Sequence, residues 1–173
     1  MRALLTKEQI DQRVRELGAE IARDYADSPD LVLVGVMRGS LCFLADLMRA
    51  IDRPLRIDMC SVQSYEGTKG GDPGSVTDLL GDVRGADVVL VEDIIERGVT
   101  LRAALELVKR GEPASVRICA LLQKDIPRDW EPNATYVGFE IGPEFVVGYG
   151  LDYNQRFRNL PYIGVPDEED LQD

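Results

Sequence analysis

The residues with the clearest chemical potential lie together in the stretch VEDIIERGVT, residues 91–100. Glu92 and Asp93 are adjacent acids at the end of an apolar run, where they could hold sugar hydroxyls or a hydrated Mg²⁺ ion. Residues 96–100 have the composition of a short turn into a helix. Backbone N–H groups, the positive end of that helix and the Thr100 hydroxyl would together suit a phosphate monoester. The pattern predicts an anion-binding turn beside a metal site.

The competing interpretation is a strand that ends in solvated acids, followed by an ordinary capped helix. Acid pairs of this kind are usually surface residues. Here the two acids interrupt an otherwise apolar run, because Ile94 and Ile95 continue it. Since burying an unpaired polar group costs roughly 2–7 kcal/mol, the sequence favours a functional role for Glu92 and Asp93.

The composition limits the chemistry that the chain can perform. Its 173 residues suit one domain, and 20 basic against 31 acidic residues give a net charge of −11 with no histidine. This charge disfavours nucleic acid and membrane partners, so an anionic substrate must be met by a local cation cluster, a metal or backbone amides. Without histidine, Ser-His and Cys-His nucleophiles are excluded. Carboxylates must therefore carry metal binding or proton transfer.

The cysteines and the first residues indicate the cellular compartment. Cys42, Cys60 and Cys119 lie far apart in apolar runs, which is typical of buried reduced thiols and not of a disulfide framework or a zinc site. The first residues lead into a polar helix without an apolar signal region. We expect a soluble, cytoplasmic protein.

The segments around the acids alternate between strand and helix patterns. Thr6 and Gln9 form a capping-box pattern that opens an amphipathic helix running to Tyr25. Two further helices are predicted over residues 41–51, with Ser40 as N-cap, and 100–110, and strands over residues 30–36, 55–62, 86–95, 116–123, 135–141 and 145–149. This alternation predicts an α/β fold with a doubly wound, mostly parallel sheet flanked by helices, and a site at the carboxyl ends of the strands.

Two segments have little to bury. Residues 65–75 are rich in Gly, Ser, Thr, Asp and Pro, which predicts a flexible surface loop able to act as a lid. Residues 166–173 are acidic, and we expect this tail to be frayed.

Four stretches, in order, resemble the type I phosphoribosyltransferases, and the resemblance covers residues 4–165. They are LVGVMRGS at 33–40, the Ser64-Tyr65 pair, the stretch around the acids at 88–100, and FVVGYGLDY through RFRNLP at 145–161. The third marks the superfamily, and the last marks its 6-oxopurine branch. Four ordered matches are far more specific than one motif.

The resemblance implies the reaction and the organisation of the chain. A purine-salvage enzyme of this family transfers the 5-phosphoribosyl group of phosphoribosyl pyrophosphate (PRPP) to N9 of hypoxanthine or guanine, with Mg²⁺ as cofactor. It also implies one domain over residues 1–173, with a small hood formed mainly by residues 1–10 and 124–165. The family tends toward a homodimer or homotetramer, and we expect the contact near residues 44–51 and the turn at Arg38.

The resemblance also implies roles for individual residues. The catalytic carboxylate is Glu96, the lid residues are Ser64 and Tyr65, and a cis peptide bond is expected at Arg38-Gly39. The metal is assigned to Glu92, Asp93 and Asp152. Pyrophosphate is assigned to Arg38, Gly39 and Arg158. The ribose phosphate is assigned to Glu92, Asp93, Glu96, Arg97, Gly98, Val99 and Thr100. The purine is assigned to Lys124, Phe145, Val146 and Asp152.

One dipeptide departs from the family pattern, because Glu96-Arg97 stands where Asp-Thr is usual. The glutamate reaches one methylene further, and a displacement near 1 Å at a reacting group can cost about a hundredfold in rate. The Arg97 guanidinium would either strengthen phosphate binding or fold into the empty turn and pair with Glu96 or Glu92. We expect activity to survive with an altered turnover.

Two other functions are consistent with parts of the sequence. A nucleotide-binding regulator on the same fold would explain the Glu96-Arg97 departure, although Lys124, Phe145 and Asp152 would then have no reason to be present. A response-regulator-like or phosphatase-like domain could use Asp93 as a phosphoryl acceptor, but it leaves the C-terminal motif unexplained.

Overall fold

A computed structural model describes residues 1–64 and 73–172. The helices are α1 (Lys7–Asp24), α2 (Leu41–Ala50) and α3 (Val99–Arg110). The strands are β1 (Arg2–Leu5), β2 (Leu31–Met37), β3 (Arg56–Ser64), β4 (Pro73–Val76), β5 (Asp87–Ile95), β6 (Ser115–Lys124), β7 (Tyr136–Ile141) and β8 (Ile163–Val165).

Six of the strands form one sheet in the order β4-β3-β2-β5-β6-β7. Neighbours from β3 to β7 pair in parallel, and only β4 runs antiparallel, at the β3 edge. One face packs on α1 and α2, and the opposite face packs on α3. The predicted doubly wound sheet is confirmed. Because parallel strands end at the same edge, the acids of β5 share that edge with the ends of β2 and β6.

The predicted helix starts are confirmed with one difference in detail. At α1 the Thr6 hydroxyl accepts from the Gln9 amide at 3.3 Å, and the Gln9 side chain accepts from the Thr6 amide at 2.8 Å. At α2 Ser40 holds the N-cap position but makes no capping bond. Its buried hydroxyl donates instead to the Val36 carbonyl at 2.6 Å, which ties the start of the helix back to β2.

Residues 145–149 do not form the predicted strand. Gly148 and Gly150 have φ values of 100° and 103°, and Tyr149 between them has a φ of 51°. Three consecutive residues in the left-handed region cannot continue an extended chain. The segment is a series of tight turns in which Val147 forms a single bridge to Gly164. An apolar run can serve a buried turn as well as a strand, and the periodicity does not separate them.

The predicted flexible loop is wrong at its C-terminal end. Residues 73–76 form β4, in which Val76 lies opposite Val62 on the edge of the sheet. Proline opens this strand, as the edge of a sheet allows. Pairing with the exposed edge of β3 therefore prevails over the poor strand propensity of Pro73, Gly74 and Ser75. Residues 65–72, the rest of the predicted lid, lie outside the described residues.

The ends of the described chain meet in a second, two-stranded sheet. β1 pairs antiparallel with β8, with Arg2 opposite Val165. The acidic segment that follows is not frayed as far as residue 172, because Asp167 and Asp170 lie 2.6 Å and 2.8 Å from the Met1 ammonium group. Charge pairing therefore holds a segment that its composition alone would leave free.

The cysteines are free thiols, as predicted: Cys60 and Cys119 are buried and Cys42 is half-buried. Burial raises the pKa of Cys60 to about 11, so this thiol stays protonated and unreactive. Within the described part of the chain, no helix has both the length and the apolar character needed to cross a bilayer.

Candidate active site

The two acids near the C-terminal end of β5 are buried. Glu92 is 5% exposed and Asp93 9% exposed, and the Glu92 Oε2 atom is buried without a hydrogen-bond partner. Desolvation raises the pKa of both carboxyls, and the neighbouring Asp93 charge adds to the rise at Glu92. Asp93 accepts one bond, from the Ile94 amide at 2.9 Å. Two unneutralised carboxyls in a dry environment favour the approach of a cation.

The turn after β2 packs directly against these acids. A Cβ atom on Gly39 would lie 1.6 Å from Asp93 Oδ2, so any side chain at this position requires the Asp93 carboxylate to move. β2 is the parallel neighbour of β5, and Gly35 lies opposite Val91. The cis peptide bond is between Met37 and Arg38. The expected position at Arg38-Gly39 is therefore wrong by one bond.

The C-terminal turns close the other side of the Gly39 turn. A Cβ on Gly150 would lie 2.1 Å from the Gly39 carbonyl oxygen. Arg158 Nη1 donates to the Gly150 carbonyl at 2.6 Å, and its Nη2 pairs with Asp152 at 2.7 Å. The Arg158 charge also lowers the pKa of Asp93 and so opposes the effect of desolvation. The structure thus gathers these predicted residues, which are distant in the sequence, around one turn.

Gln155 joins the two predicted pyrophosphate arginines and was missed by the sequence analysis. Its Oε1 atom accepts from Arg38 Nη1 and from Arg158 Nη2, at 3.3 Å in each case. The backbone amide of Gln155 donates to the Asp152 carboxylate at 2.8 Å. Only the spatial approach of residues 117 positions apart reveals this link, so no local pattern could have indicated it.

The predicted phosphate turn connects β5 to α3. Gly98 occupies the N-cap of α3 with a φ of 78°, and no side chain of the residues that the structure describes caps the first-turn amides. Those amides are therefore available to an anion. Arg97, Val99 and Thr100 are exposed around the turn. Arg97 pairs with neither Glu92 nor Glu96, so the expected alternative in which it folds into the turn is not observed.

Lys124 and Glu96 form an ion pair where β5 and β6 end side by side. Lys124 is the last residue of β6 and is 4% exposed, whereas the Glu96 side chain is 54% exposed. The distance from Lys124 Nζ to Glu96 Oε1 is 2.9 Å. The strands pair in register up to Ile95 and Gln123. The site thus presents one cationic donor directly beside one carboxylate acceptor.

The remaining predicted residues differ in exposure. The Phe145 ring is 47% exposed and meets the Tyr153 ring edge-on, with centroids 6.0 Å apart. Val146 is buried. Ser64 is the last residue of β3, and Tyr65 lies outside the described residues.

The acids suit a metal that is shared with a substrate better than a metal held by protein alone. Among the described residues no group of three or more acidic, cysteine or histidine side chains could hold a metal ion. Glu92 and Asp93 offer buried carboxyl oxygens beside the Gly39 turn, and Asp152 adds a carboxylate whose oxygens contact the Gln155 backbone amide and Arg158. Mg²⁺ commonly takes one or two protein carboxylates and completes its shell with waters and substrate phosphates, so the residues fit this ion.

Comparison with known proteins agrees with this geometry. The phosphoribosyl transferase domain family matches residues 2–154. The hypoxanthine-guanine phosphoribosyltransferase of Bacillus subtilis is 43% identical over 166 residues, which cover 95% of this chain and 92% of that protein. The hypoxanthine phosphoribosyltransferase of Haemophilus influenzae is 44% identical over 165 residues, with 93% and 92% covered.

Solved structures give the same result. A hypoxanthine phosphoribosyltransferase from Staphylococcus aureus superimposes with a TM-score of 0.92 at 41% identity and covers 100% of this chain and 95% of its own. A mutant enzyme from Trypanosoma cruzi, solved as a ternary substrates complex, gives a TM-score of 0.90 at 36% identity, with 98% and 96% covered. The chain therefore belongs to the phosphoribosyl transferase family.

Proposed function

We propose that this chain is a hypoxanthine-guanine phosphoribosyltransferase of purine salvage. It would transfer the 5-phosphoribosyl group of PRPP to N9 of hypoxanthine or guanine, giving IMP or GMP and pyrophosphate. The observation that carries this proposal is the Lys124–Glu96 pair, in which a donor and an acceptor lie 2.9 Å apart at the edge of the sheet. The similarity to enzymes of this name over most of the chain supports it.

The pair matches one edge of a 6-oxopurine. Such a base carries the acceptor O6 next to N7, and N7 bears a proton when N9 is free to attack. Lys124 would donate to O6 while Glu96 accepts the proton of N7. A 6-aminopurine presents two donors at the O6 position, which the ammonium group cannot use. The pair therefore favours oxopurines, because binding a 6-aminopurine would leave the buried Lys124 ammonium group without an acceptor on the base.

The same residues account for the chemical step. A bond forms between N9 and C1 of the ribose while the bond from C1 to the pyrophosphate oxygen breaks, with both electrons leaving on that oxygen. The proton on N7 passes to the Glu96 carboxylate, which acts as the general base. Positive charge develops at C1 of the ribose as this bond breaks. The exposed Phe145 ring would hold the purine base by stacking. Arg38 and Arg158 would bind the departing pyrophosphate.

The phosphate of the ribose would occupy the turn that precedes α3. Its oxygens would accept from the uncapped first-turn amides and from the Thr100 hydroxyl. Arg97, which is exposed and pairs with neither nearby acid, would add a planar guanidinium suited to phosphate. We therefore infer that the Glu96-Arg97 sequence retains phosphate binding.

Mg²⁺ would be held by Glu92 and Asp93 beside the ribose and by Asp152 beside the pyrophosphate. When bound, the metal neutralises the leaving group as a Lewis acid. The protein contributes two buried carboxyls, one of which has an oxygen without a partner. Ser64 and Tyr65 would close over the site.

A non-catalytic regulator on the same fold stays the second candidate, because Glu96 reaches further than the usual aspartate.

The cytoplasm is the proposed location. With a net charge of −11, partners among nucleic acids and membranes are disfavoured.

The first test is turnover of purine bases with PRPP and Mg²⁺, followed spectrophotometrically. We expect hypoxanthine and guanine to be converted and adenine to be left unchanged. Lys124→Met should lower kcat/KM for hypoxanthine roughly 10- to 150-fold, the effect of losing one charge-assisted hydrogen bond. Lys109→Met, the same change at an exposed lysine of α3, is the matched control. Tight binding of PRPP and GMP without turnover would establish the regulator instead.

The second test concerns the cost of the buried acids. Glu92→Gln should raise the free energy of unfolding by about 1–3 kcal/mol at neutral pH without metal, while abolishing most turnover. Folding raises the pKa of the Glu92 carboxyl above its ordinary value of 4.5. Ionisation of this carboxyl therefore destabilises the folded state as the pH rises above 4.5, and this destabilisation disappears at lower pH.

Urea unfolding of both proteins across pH measures this difference. The stabilisation by Glu92→Gln should therefore grow as pH rises from about 4.5. Glu106→Gln, which removes the surface ion pair with Arg102, is the matched control. A destabilised, fully active Glu92→Gln protein would refute the assignment.

The third test concerns assembly, for which we propose a homodimer or homotetramer. Leu44, Leu47 and Ile51 of the expected contact helix are buried in the chain's own core. Exposed apolar surface lies instead on β3, where Ile57 and Met59 share one face and are 49% and 38% exposed.

Sedimentation velocity measures the assembly. The wild type should sediment as a dimer or tetramer, and Ile57→Asp combined with Met59→Asp should sediment as a smaller species. Leu80→Asp, at a position that is 85% exposed, is the control and should change nothing. A monomeric wild type would exclude the proposal.

A further inference from the structure

Arg128 connects the phosphate turn of the candidate site to the end of β6. It lies in the segment between β6 and β7, and its side chain is only 4% exposed. Its Nε donates to the Glu96 carbonyl at 3.0 Å, and its Nη2 donates to the Lys124 carbonyl. Its Nη1 pairs with Glu131 at 3.2 Å. One guanidinium therefore bridges the backbone of the residue that opens the phosphate turn and the backbone of the residue that reads the purine.

The same segment contacts the phosphate turn at a second point. A Cβ on Gly98 would lie 3.0 Å from Cε3 of Trp130, so the indole ring packs directly on the N-cap of α3. Arg128 and Trp130 thus contact opposite ends, Glu96 and Gly98, of the three residues between β5 and α3. Neither side chain has a role in the proposed chemistry.

The separation of these two backbones matters for bond formation. The ribose would be anchored by the phosphate turn, and the purine by Lys124. The distance from C1 of the ribose to N9 of the purine therefore depends on how far Glu96 lies from Lys124. A misplacement of about 1 Å between reacting groups can cost roughly a hundredfold in rate.

We propose that Arg128 is a positioning residue that fixes the phosphate turn relative to the purine-reading strand and so couples the two halves of the nucleotide site. This inference rests on the proposed function. It identifies Arg128 as a residue that acts through Glu96 and Lys124 without touching the substrate. Its charge is already engaged by two carbonyls and one carboxylate.

The competing explanation is that Arg128 only stabilises the fold, and the chain offers a matched control for it. Arg13 also donates to two backbone carbonyls, those of Val137 at 2.9 Å and Gly138 at 3.1 Å. It too pairs with acidic side chains, Glu16 and Glu20. Arg13 anchors α1 to β7, away from the acids and the phosphate turn. Arg13→Gln therefore removes the same kind of interaction without reaching the site.

The test compares Arg128→Gln and Arg13→Gln in ligand binding. GMP contains both the phosphate and the purine at a fixed separation, whereas PRPP would contact the phosphate turn, the acids and the pyrophosphate arginines but not the purine position. We expect Arg128→Gln to weaken GMP binding at least tenfold while PRPP affinity stays within threefold of the wild type. In turnover, kcat for hypoxanthine should fall about a hundredfold. Arg13→Gln should change neither ligand's affinity and should lower only the melting temperature.

Arg128→Lys extends the test to a variant that keeps the charge. A lysine can reach one carbonyl but cannot bridge both, so we expect an intermediate loss of GMP affinity. Equal effects of Arg128→Gln on GMP and PRPP, or a GMP affinity like that of Arg13→Gln, would overturn the inference. If Arg128→Gln does not fold, the lysine variant gives the same comparison by isothermal titration calorimetry.

The outcomes separate the inference from the proposed function. A wild type that binds neither GMP nor PRPP would contradict both the proposed function and the positioning role of Arg128. A wild type that converts hypoxanthine, together with an Arg128→Gln protein that retains GMP binding, removes the positioning role alone. The binding comparison requires no turnover, so it also decides the role of Arg128 in a chain that binds nucleotides without converting them.

Discussion

The contact between Gly39 and Asp93 is the constraint around which the candidate site is arranged. A side chain at Gly39 would overlap the Asp93 carboxylate, and Gly150 in turn packs on the Gly39 carbonyl. Backbone atoms therefore replace the solvent that would normally surround an acid. This burial raises the pKa of Asp93 and of its neighbour Glu92. In the proposed function a bound cation would relieve this unfavourable electrostatic state, so stability would be exchanged for ligand binding.

The parallel sheet brings the remaining chemistry to the same edge. β2, β5 and β6 are adjacent, so the Gly39 turn, the acids and Lys124 follow one another across neighbouring strands. Only the C-terminal turns must cross from elsewhere, and Arg158 fixes them through its bonds to Gly150 and Asp152. The site is therefore assembled by strand order first and by long-range hydrogen bonds second.

The sequence predicted the parts that depend on local patterns. The apolar run before Glu92 predicts a buried strand, and the Thr6 capping box predicts the start of α1, because both signals lie within a few residues. The turns at 145–149 and the edge strand at 73–76 were misassigned, since backbone conformation there follows from tertiary pairing. Gln155 and Arg128 were missed altogether. Their partners lie 117 and 32 positions away, a separation that periodicity does not report.

The central claim is that buried Glu92 and Asp93 hold a divalent cation together with PRPP, and calorimetric titration of PRPP with and without Mg²⁺ tests it most directly. We predict that the wild type binds PRPP at least tenfold more tightly with Mg²⁺ present. A variant carrying Asp93→Asn should lose this dependence, while Asp78→Asn at an exposed position keeps it. Equal PRPP affinity of the wild type in Mg²⁺ and in a chelator would contradict the account.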